Sequence, residues 1–373
     1  MTEWKLLDEA AAKEIWDGQL IRFNDCSPYQ TYAWGEYQKS LGWQPYHFLA
    51  VNESGEISAM LLGFLRRYPF GTGLMWCPGG PIGEFESWDE NLPQTIIKLT
   101  DLKHLYIRFR CDQERKPRKV LFLNHRQWNR SIYTITSNVS MELDLSADEE
   151  TLRAQLSRNW RRNLKKAQEN NLEVKLWAKP DVKEICRIYR EMEIRKNLPQ
   201  QFTEEKLANL FNHLGSNLIV YRCEDIDGNL LCFRGCLKIG SRAGDYLAAT
   251  TEKGLIAQAS YLTLWKLLQK AQEQGVKYYD LGGINPWENA GVYKFKKETG
   301  AREIEYLGEW DWASNTSLRL LGNWAIWKKQ NLKNVKLFNF HFLKSLVPLN
   351  KLTSVRSKSQ PTKLGTEGVE KFV

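Results

Sequence analysis

The apolar positions of this chain alternate between a helical period of three to four residues and a strand period of two, and they do so in two stretches of similar grammar. In the first stretch, residues 30–41 place Trp34, Tyr37 and Leu41 on one helical face, with Gly42 positioned to stop the helix. Strands are predicted at Tyr46–Val51 and Ser58–Arg66 around the turn Asn52-Glu53-Ser54-Gly55. A third strand around Leu74–Cys77 runs into Pro78-Gly79-Gly80-Pro81, followed by a helix near Asn91–Lys103 and a strand at Leu105–Arg110.

The second stretch predicts helices over about Asp148–Asn171 and Val182–Asn197, then a hairpin of Leu218–Glu224 and Leu230–Ile239 across Asp227-Gly228-Asn229. A strand at Gly244–Ala249 follows. The helix after Lys253 buries Tyr261, Leu264, Trp265, Leu268 and Ala271, stops at Gly275, and leads into a strand Val276–Leu281 that ends in Gly282-Gly283. A strand ending in a glycine pair thus occurs twice, and a duplicated α/β domain with mixed sheets is the economical expectation, although the halves share little literal sequence. From Asn331 the chain turns basic through Lys333, Lys336, Lys344 and Lys351, and residues 353–373 read as a disordered basic tail.

Composition agrees with two domains: 373 residues, 42% of them hydrophobic, suffice for each half to bury its own core. Lys and Arg outnumber Asp and Glu by 53 to 44, and the net charge of +9 favours anionic partners such as diphosphates, RNA or an acidic membrane surface. No basic region followed by a long apolar core opens the chain and no run approaches the roughly 18 apolar residues of a membrane span, so a cytoplasmic protein is expected. Seven cysteines without a C-x-x-C pair predict reduced, mostly buried thiols and no structural metal. The phosphate-loop, dinucleotide and nucleophile-elbow signatures are all missing, which removes the usual ATP, dinucleotide and serine-hydrolase chemistries.

Five sets of residues carry candidate chemistry. On a helix, Arg158, Arg161, Arg162, Lys165 and Lys166 fall on one stripe opposite Leu156, Trp160, Leu164 and Ala167. Such a stripe is either a solvated face or a seat for a polyanion that relieves like-charge repulsion of about 0.2–0.5 kcal/mol per pair. Lys39 stands in the last turn of a helix, where a lysine ordinarily complements the dipole. Arg195 ends an apolar helical face and can reach into a cleft. In Val292-Tyr293-Lys294-Phe295-Lys296-Lys297, an extended segment would put Tyr293 and Phe295 on one side and Lys294 and Lys296 on the other. Lys296 is then either a surface lysine or a cation presented to a developing oxyanion. Asp280, before the glycine pair, reads as a turn residue or a base.

Taken in order, Trp34, Lys39 and Gly42-Trp43, the Pro78–Pro81 turn, the Arg158–Ala167 stripe, and Tyr278-Tyr279-Asp280-Leu281-Gly282-Gly283 with Phe295-Lys296 resemble the FemABX family over about residues 30–312. These are aminoacyl-tRNA-dependent transferases that build peptidoglycan bridges. The resemblance implies two tandem GNAT-like domains, at 1–145 (completed by about 310–350) and 146–309, without a coiled-coil arm. It implies aminoacyl-tRNA as co-substrate with no further cofactor, and a UDP- or lipid-linked muropeptide as acceptor, in contact with the inner membrane surface. Lys39, Arg195 and Tyr246 would then bind the acceptor, Arg158, Arg161, Arg162 and Lys165 the tRNA, and Lys296 would polarise the ester carbonyl. The chain departs from the family pattern where the first-domain strand reads Ile107-Arg108-Phe109-Arg110-Cys111-Asp112, with its acidic residue displaced. The alternative is a GNAT-type transferase using acyl-CoA on a sugar or polysaccharide precursor, although Lys253–Ala259 holds one glycine where pyrophosphate binding favours several.

Overall fold

The computed structural model describes residues 2–88 and 91–328. The first half runs β1 (Glu3–Leu7), α1 (Glu9–Leu20), α2 (Tyr32–Ser40), β2 (Gln44–Val51), β3 (Ile57–Tyr68), β4 (Thr72–Pro78), β5 (Ile82–Gly83), α3 (Asn91–Leu99), β6 (His104–Glu114), α4 (Pro117–His125) and β7 (Asn129–Arg130). The second runs β8 (Val139–Asp144), α5 (Glu149–Gln155), α6 (Arg158–Glu169), β9 (Glu173–Leu176), α7 (Val182–Arg195), α8 (Glu204–Leu214), β10 (Leu218–Glu224), β11 (Leu230–Ile239), β12 (Arg242–Thr250), α9 (Glu252–Ile256), α10 (Ala259–Glu273), β13 (Tyr278–Gly283) and α11 (Ala290–Lys297). A last strand, β14 (Arg302–Ala313), precedes a helix over 316–328.

The strands join in one mixed sheet ordered β1-β2-β3-β4-β6-β14-β8-β13-β12-β11-β10-β9, with β5 on β3 and β7 on β14. From either outer edge inward the pairing is antiparallel three times, then parallel (β4 with β6, β12 with β13), then antiparallel. A parallel neighbour requires a crossover, and α3 and α10 provide it in the two halves. The expected duplication is therefore present, as two tandem GNAT-like units. β14 connects them: Arg302–Glu305 pair with β8 and Tyr306–Ala313 with β6.

Side-chain alternation along the strands divides most of the core among three clusters, with a small fourth around Cys223, Leu231, Cys232 and Ala259. Ala59, Leu61 and Leu65 of β3 face a core belonging to the first half, with Trp88, Ile96 and Trp310. Trp160, Leu264, Leu268 and Tyr279 fill a core of the second. Met60, Leu62 and Phe64 of β3 instead join Trp16, Trp34, Tyr189, Leu210, Phe233 and Leu247 in a core built from both halves. Each half thus buries a core of its own, and the shared core accounts for the single compact unit formed by residues 1–329. The expected basic tail at 353–373, and the completing segment beyond 328, lie outside the described residues.

Three local expectations change. The predicted helix over 148–171 is two helices: the chain is extended at Leu156, and Ser157 caps α6 by accepting the Trp160 amide at 3.0 Å. The segment around Lys296 is the helix α11, not an extended run. The two glycine pairs are not equivalent either, because Gly79-Gly80 follow β4 before its crossover helix, whereas Gly282-Gly283 end β13 after its own. Gly80 is required by packing, since a Cβ there would lie 2.6 Å from the buried Gln30 side chain, whose amide bonds Leu62 and Pro78. Gly282 is required by its backbone, at φ +81°.

His47 of β2 gives the fold a testable pH dependence. The ring is 6% exposed, lies edge-on to Trp16 at 4.7 Å and stacks on Tyr32 at 5.6 Å, and its Nε2 is buried without a partner. Burial pushes its pKa down to about 4 from the ordinary 6.5, against a weak opposing pull from Glu9. A folded-state value below the unfolded one means that the neutral ring's contribution is fully present above pH 6.5 and is lost as the pH falls toward 4, in all about 3 kcal/mol. Thermal melts should show wild type losing stability relative to His47→Phe across that interval. Parallel pH profiles for the two proteins would remove this role.

Candidate active site

The two parallel strand pairs differ in length, and that difference opens a site. β4 and β6 stay paired from Thr72–His104 to Pro78–Arg110, whereas β12 and β13 pair only from Arg242–Tyr278 to Gly244–Asp280. Beyond Gly244 the second pair is parted by a cavity of about 710 Å3. Its walls are Asp245–Thr250 of β12, Leu281 and Gly282 of β13, Val292, Phe295 and Lys296 of α11, and Tyr189, Met192 and Arg195 of α7.

Lys296 is the one buried residue of α11, 8% exposed. An aromatic cluster sets its direction: Phe295 lies 5.0 Å from Tyr261 of α10 and 6.0 Å from Trp160 of α6, ring centre to ring centre, which docks α11 on both helices. The Lys296 ammonium donates to the carbonyls of Gly282 and Gly283, each at 2.9 Å. An ammonium has three N–H donors, so one remains for a ligand. Burial lowers its pKa below the ordinary value; Asp245 and Asp280 pull the other way, and Arg234 adds to the lowering.

Behind the lysine, Arg234 of β11 forms a two-pronged ion pair with Asp245, Nε to Oδ1 at 3.0 Å, and Tyr279 donates to the same Oδ1 at 2.7 Å. Arg234 also lies 5.4 Å from the Phe295 ring centre. This pair was missed by sequence reasoning. Its signal was one opposite charge in each of two neighbouring apolar strands, positions that a purely structural hairpin has no need to charge.

A second cavity, of about 460 Å3, shares Asp245, Tyr246 and Gly282 with the first and is polar at its far wall. There Asp280 accepts from Tyr306 Oη at 2.9 Å, from the Gly282 amide at 2.7 Å and from Ser140. Arg110 pairs with Asp112 and keeps a buried Nε without a partner. Burial raises the pKa of Asp112, with Arg110 opposing. The acidic residue displaced in the first-domain strand therefore faces this cavity, and Asp280 holds the glycine turn as well as lining it.

Lys296, Arg195 and Tyr246 thus come together at the first cavity. Arg195 approaches along the wall, its Nη2 donating to the Thr250 carbonyl at 2.7 Å. Tyr246 stands between the cavities, packed against Trp34 at 5.7 Å and Tyr29 at 6.5 Å, and burial raises its pKa well above the ordinary value. Lys39 does not join them. It sits at the end of α2 with its Nζ 2.6 Å from Glu9 and 3.8 Å from Glu36, and α2 contributes Trp34 and Gln38, not Lys39, to the second cavity. The neighbouring α1, which sequence reading did not predict, supplies the partner that holds it away. On α6, Trp160, Leu164 and Ala167 are buried while Arg158, Arg161, Arg162, Lys165 and Lys166 are exposed, as the spacing predicts.

Residues 248–320, which include α10, Gly282 and Lys296, match the model of the FemAB family. None of the curated proteins compared with the chain matches it. Among solved structures, FemX is similar with a TM-score of 0.74 at 15% identity, over 86% of this chain and 100% of that one. A conserved protein of unknown function from Bacteroides thetaiotaomicron VPI-5482 is similar with a TM-score of 0.53 at 12% identity, over 84% and 99%. A tandem GNAT protein from the clavulanic acid biosynthesis pathway gives a TM-score of 0.51 at 10% identity, over 84% and 99%. At these identities the likeness is one of fold, and it supports the tandem GNAT-like architecture. The FemAB match around Lys296 and the fold shared with FemX bear out the resemblance to the FemABX family that the sequence carries.

Proposed function

We propose that the chain is an aminoacyltransferase that moves an amino acid from aminoacyl-tRNA to the amine of a peptidoglycan precursor peptide. The observation that carries the reading is the buried Lys296 ammonium, anchored by two carbonyls at the wall of the larger cavity with one N–H unused. The amine attacks the ester carbonyl, the C–N bond forms, and the ester C–O bond breaks. The proton that the amine gives up ends on the departing ribose oxygen. Negative charge on the carbonyl oxygen is greatest midway, where a fixed cation lowers the barrier without having to reorganise.

Arg195 on the cavity wall and the polar second cavity suit an anionic, peptide-bearing acceptor, with Tyr246 between the two chambers. The exposed cations of α6 suit the tRNA acceptor end. An acyl-CoA donor is less well served, because the glycine of α9, the short helix after β12, is taken up by packing: a Cβ at Gly254 would lie 2.5 Å from the Leu231 carbonyl oxygen.

Purified protein incubated with labelled aminoacyl-tRNA or acyl-CoA, alongside UDP-linked and lipid-linked muropeptides, should consume the aminoacyl-tRNA. Arg161→Glu with Arg162→Glu should weaken tRNA binding and lower the slope of log affinity against log salt by about 2. Consumption of acyl-CoA alone would replace this reading with the GNAT alternative, and an unchanged slope would leave α6 as a solvated face.

A further inference from the structure

The second cavity, of about 460 Å3, carries two opposite charges that the protein itself leaves unmatched. Arg110 of β6 lines it, with its guanidinium 5.5 Å from the centre of the Tyr306 ring and Nη1 donating to Asp112. Among the described residues its Nε is buried and has no acceptor, and Nη2 has none either. The edge formed by Nε and Nη2 is one that takes a carboxylate two-pronged, and here it is unused. A buried donor left bare is costly, so an anion is the expected occupant.

Asp280 is the opposite charge. Of the three carboxylates on the cavity wall, Asp112 is paired by Arg110 and Asp245 by Arg234. Among the described residues Asp280 has no cation: it accepts from the Tyr306 hydroxyl at 2.9 Å, the Gly282 amide at 2.7 Å and the Ser140 hydroxyl. A carboxylate offers about four acceptor positions, so one stays open. The turn that Asp280 holds is also the one whose Gly282 carbonyl anchors Lys296 at 2.9 Å, which sets a cation on Asp280 beside the transfer site.

Charge decides what fits. A diphosphate would carry its negative charges past three carboxylates, one of them uncompensated. A simple ammonium, such as that of a lysyl side chain, would satisfy Asp280 and leave Arg110 bare. An amine whose carbon also bears a carboxylate satisfies both, and Arg110 and Asp280 flank one side chain, Tyr306, at its ring and at its hydroxyl. We propose that the second cavity binds such an amino acid end of the acceptor, its carboxylate on the Nε and Nη2 edge of Arg110 and its amine on Asp280. This assignment rests on the proposed aminoacyl transfer and adds to it the chemical class of the acceptor: a diamino diacid at the reacting position, not a lysyl amine.

The test is calorimetric titration of the full chain, without donor, by two UDP-linked muropeptides that differ only in a meso-diaminopimelyl or a lysyl third residue. The diaminopimelyl form is expected to bind at least about tenfold tighter, as one added two-pronged ion pair implies. Arg110→Gln should erase that preference by lowering the diaminopimelyl affinity to the lysyl value. If this variant melts early because Asp112 is stranded, the double exchange Arg110→Gln with Asp112→Asn is read in its place. Equal wild-type affinity for the two muropeptides, or a preference that survives in the variant, overturns the proposal and leaves the transfer reaction standing. Parallel loss of both muropeptides and of UDP alone on Arg110→Gln would make Arg110 a diphosphate contact and overturn it as well. Binding of neither muropeptide, with no transfer to either, would instead remove the peptide acceptor itself, and this assignment with it.

Discussion

Replacing Lys296 by Met is expected to reduce turnover by about two to three orders of magnitude while leaving acceptor affinity near that of wild type. Methionine keeps most of the side chain's length and apolar volume, so the contacts around Phe295, Tyr261 and Trp160 have no reason to rearrange. What is removed is the cation and its free N–H. The carbonyls of Gly282 and Gly283 also lose their donor, at a cost of about 1–3 kcal/mol for each group left unsatisfied, so a melting curve must accompany the kinetics.

The pH profile separates the catalytic role from a structural one. Burial lowers the lysine's pKa from its ordinary 10.5, so a reaction that needs the ammonium is supported below the lowered value and declines as the pH rises through it. Wild type should lose activity on the alkaline side earlier than a free lysine would dictate. Lys296→Arg, which stays protonated, should recover part of the rate and lack that decline. Undiminished turnover by Lys296→Met would discard the role altogether.

The second large effect is expected on stability. Arg108 of β6 is 2% exposed, and its guanidinium meets Glu309 at 3.0 Å, Asp311 at 3.5 Å, Asn323 at 2.8 Å, the Tyr133 carbonyl at 2.7 Å and Tyr106 Oη at 3.1 Å. Both carboxylates are fully buried on β14. Asp311 keeps Arg319 at 2.6 Å, but among the described residues Glu309 has no second cation and retains the amides of Ile135 and Thr136, at 2.7 and 2.8 Å, and the Thr136 hydroxyl. Arg108→Met should therefore leave Glu309 buried and unpaired and cost about 3–5 kcal/mol in denaturant unfolding. Adding Glu309→Gln should return much of that loss, because the penalty belongs to the stranded charge. Equal midpoints for wild type and Arg108→Met would show that the network contributes nothing.

β14 also locates the limit of sequence reading. Its register with β6 and β8 joins the halves, yet Glu303, Glu305, Glu309 and Asp311 break the apolar pattern that identifies a strand. Those acids are paired by Arg108 and Arg115, about 200 residues earlier in the chain, and by Lys297 and Arg319 on either side. The same holds for Lys39, whose helix was legible and whose partner Glu9 was not.

From the sequence alone came the order of most helices and strands, the duplicated α/β plan, the two faces of α6, and Lys296 as the residue to watch, because period, caps and turn chemistry are local and survive without neighbours. Tertiary structure alone decided that β12 and β13 part after Gly244 while β4 and β6 do not, that the ammonium of Lys296 turns inward onto two carbonyls, that Arg195 and Tyr246 line the same cavity while Lys39 does not, and that the halves share a core. The reason is physical: strand divergence and the direction of a buried charge depend on contacts between residues far apart in sequence, and one-dimensional periodicity carries no record of which distant groups will be present to make them.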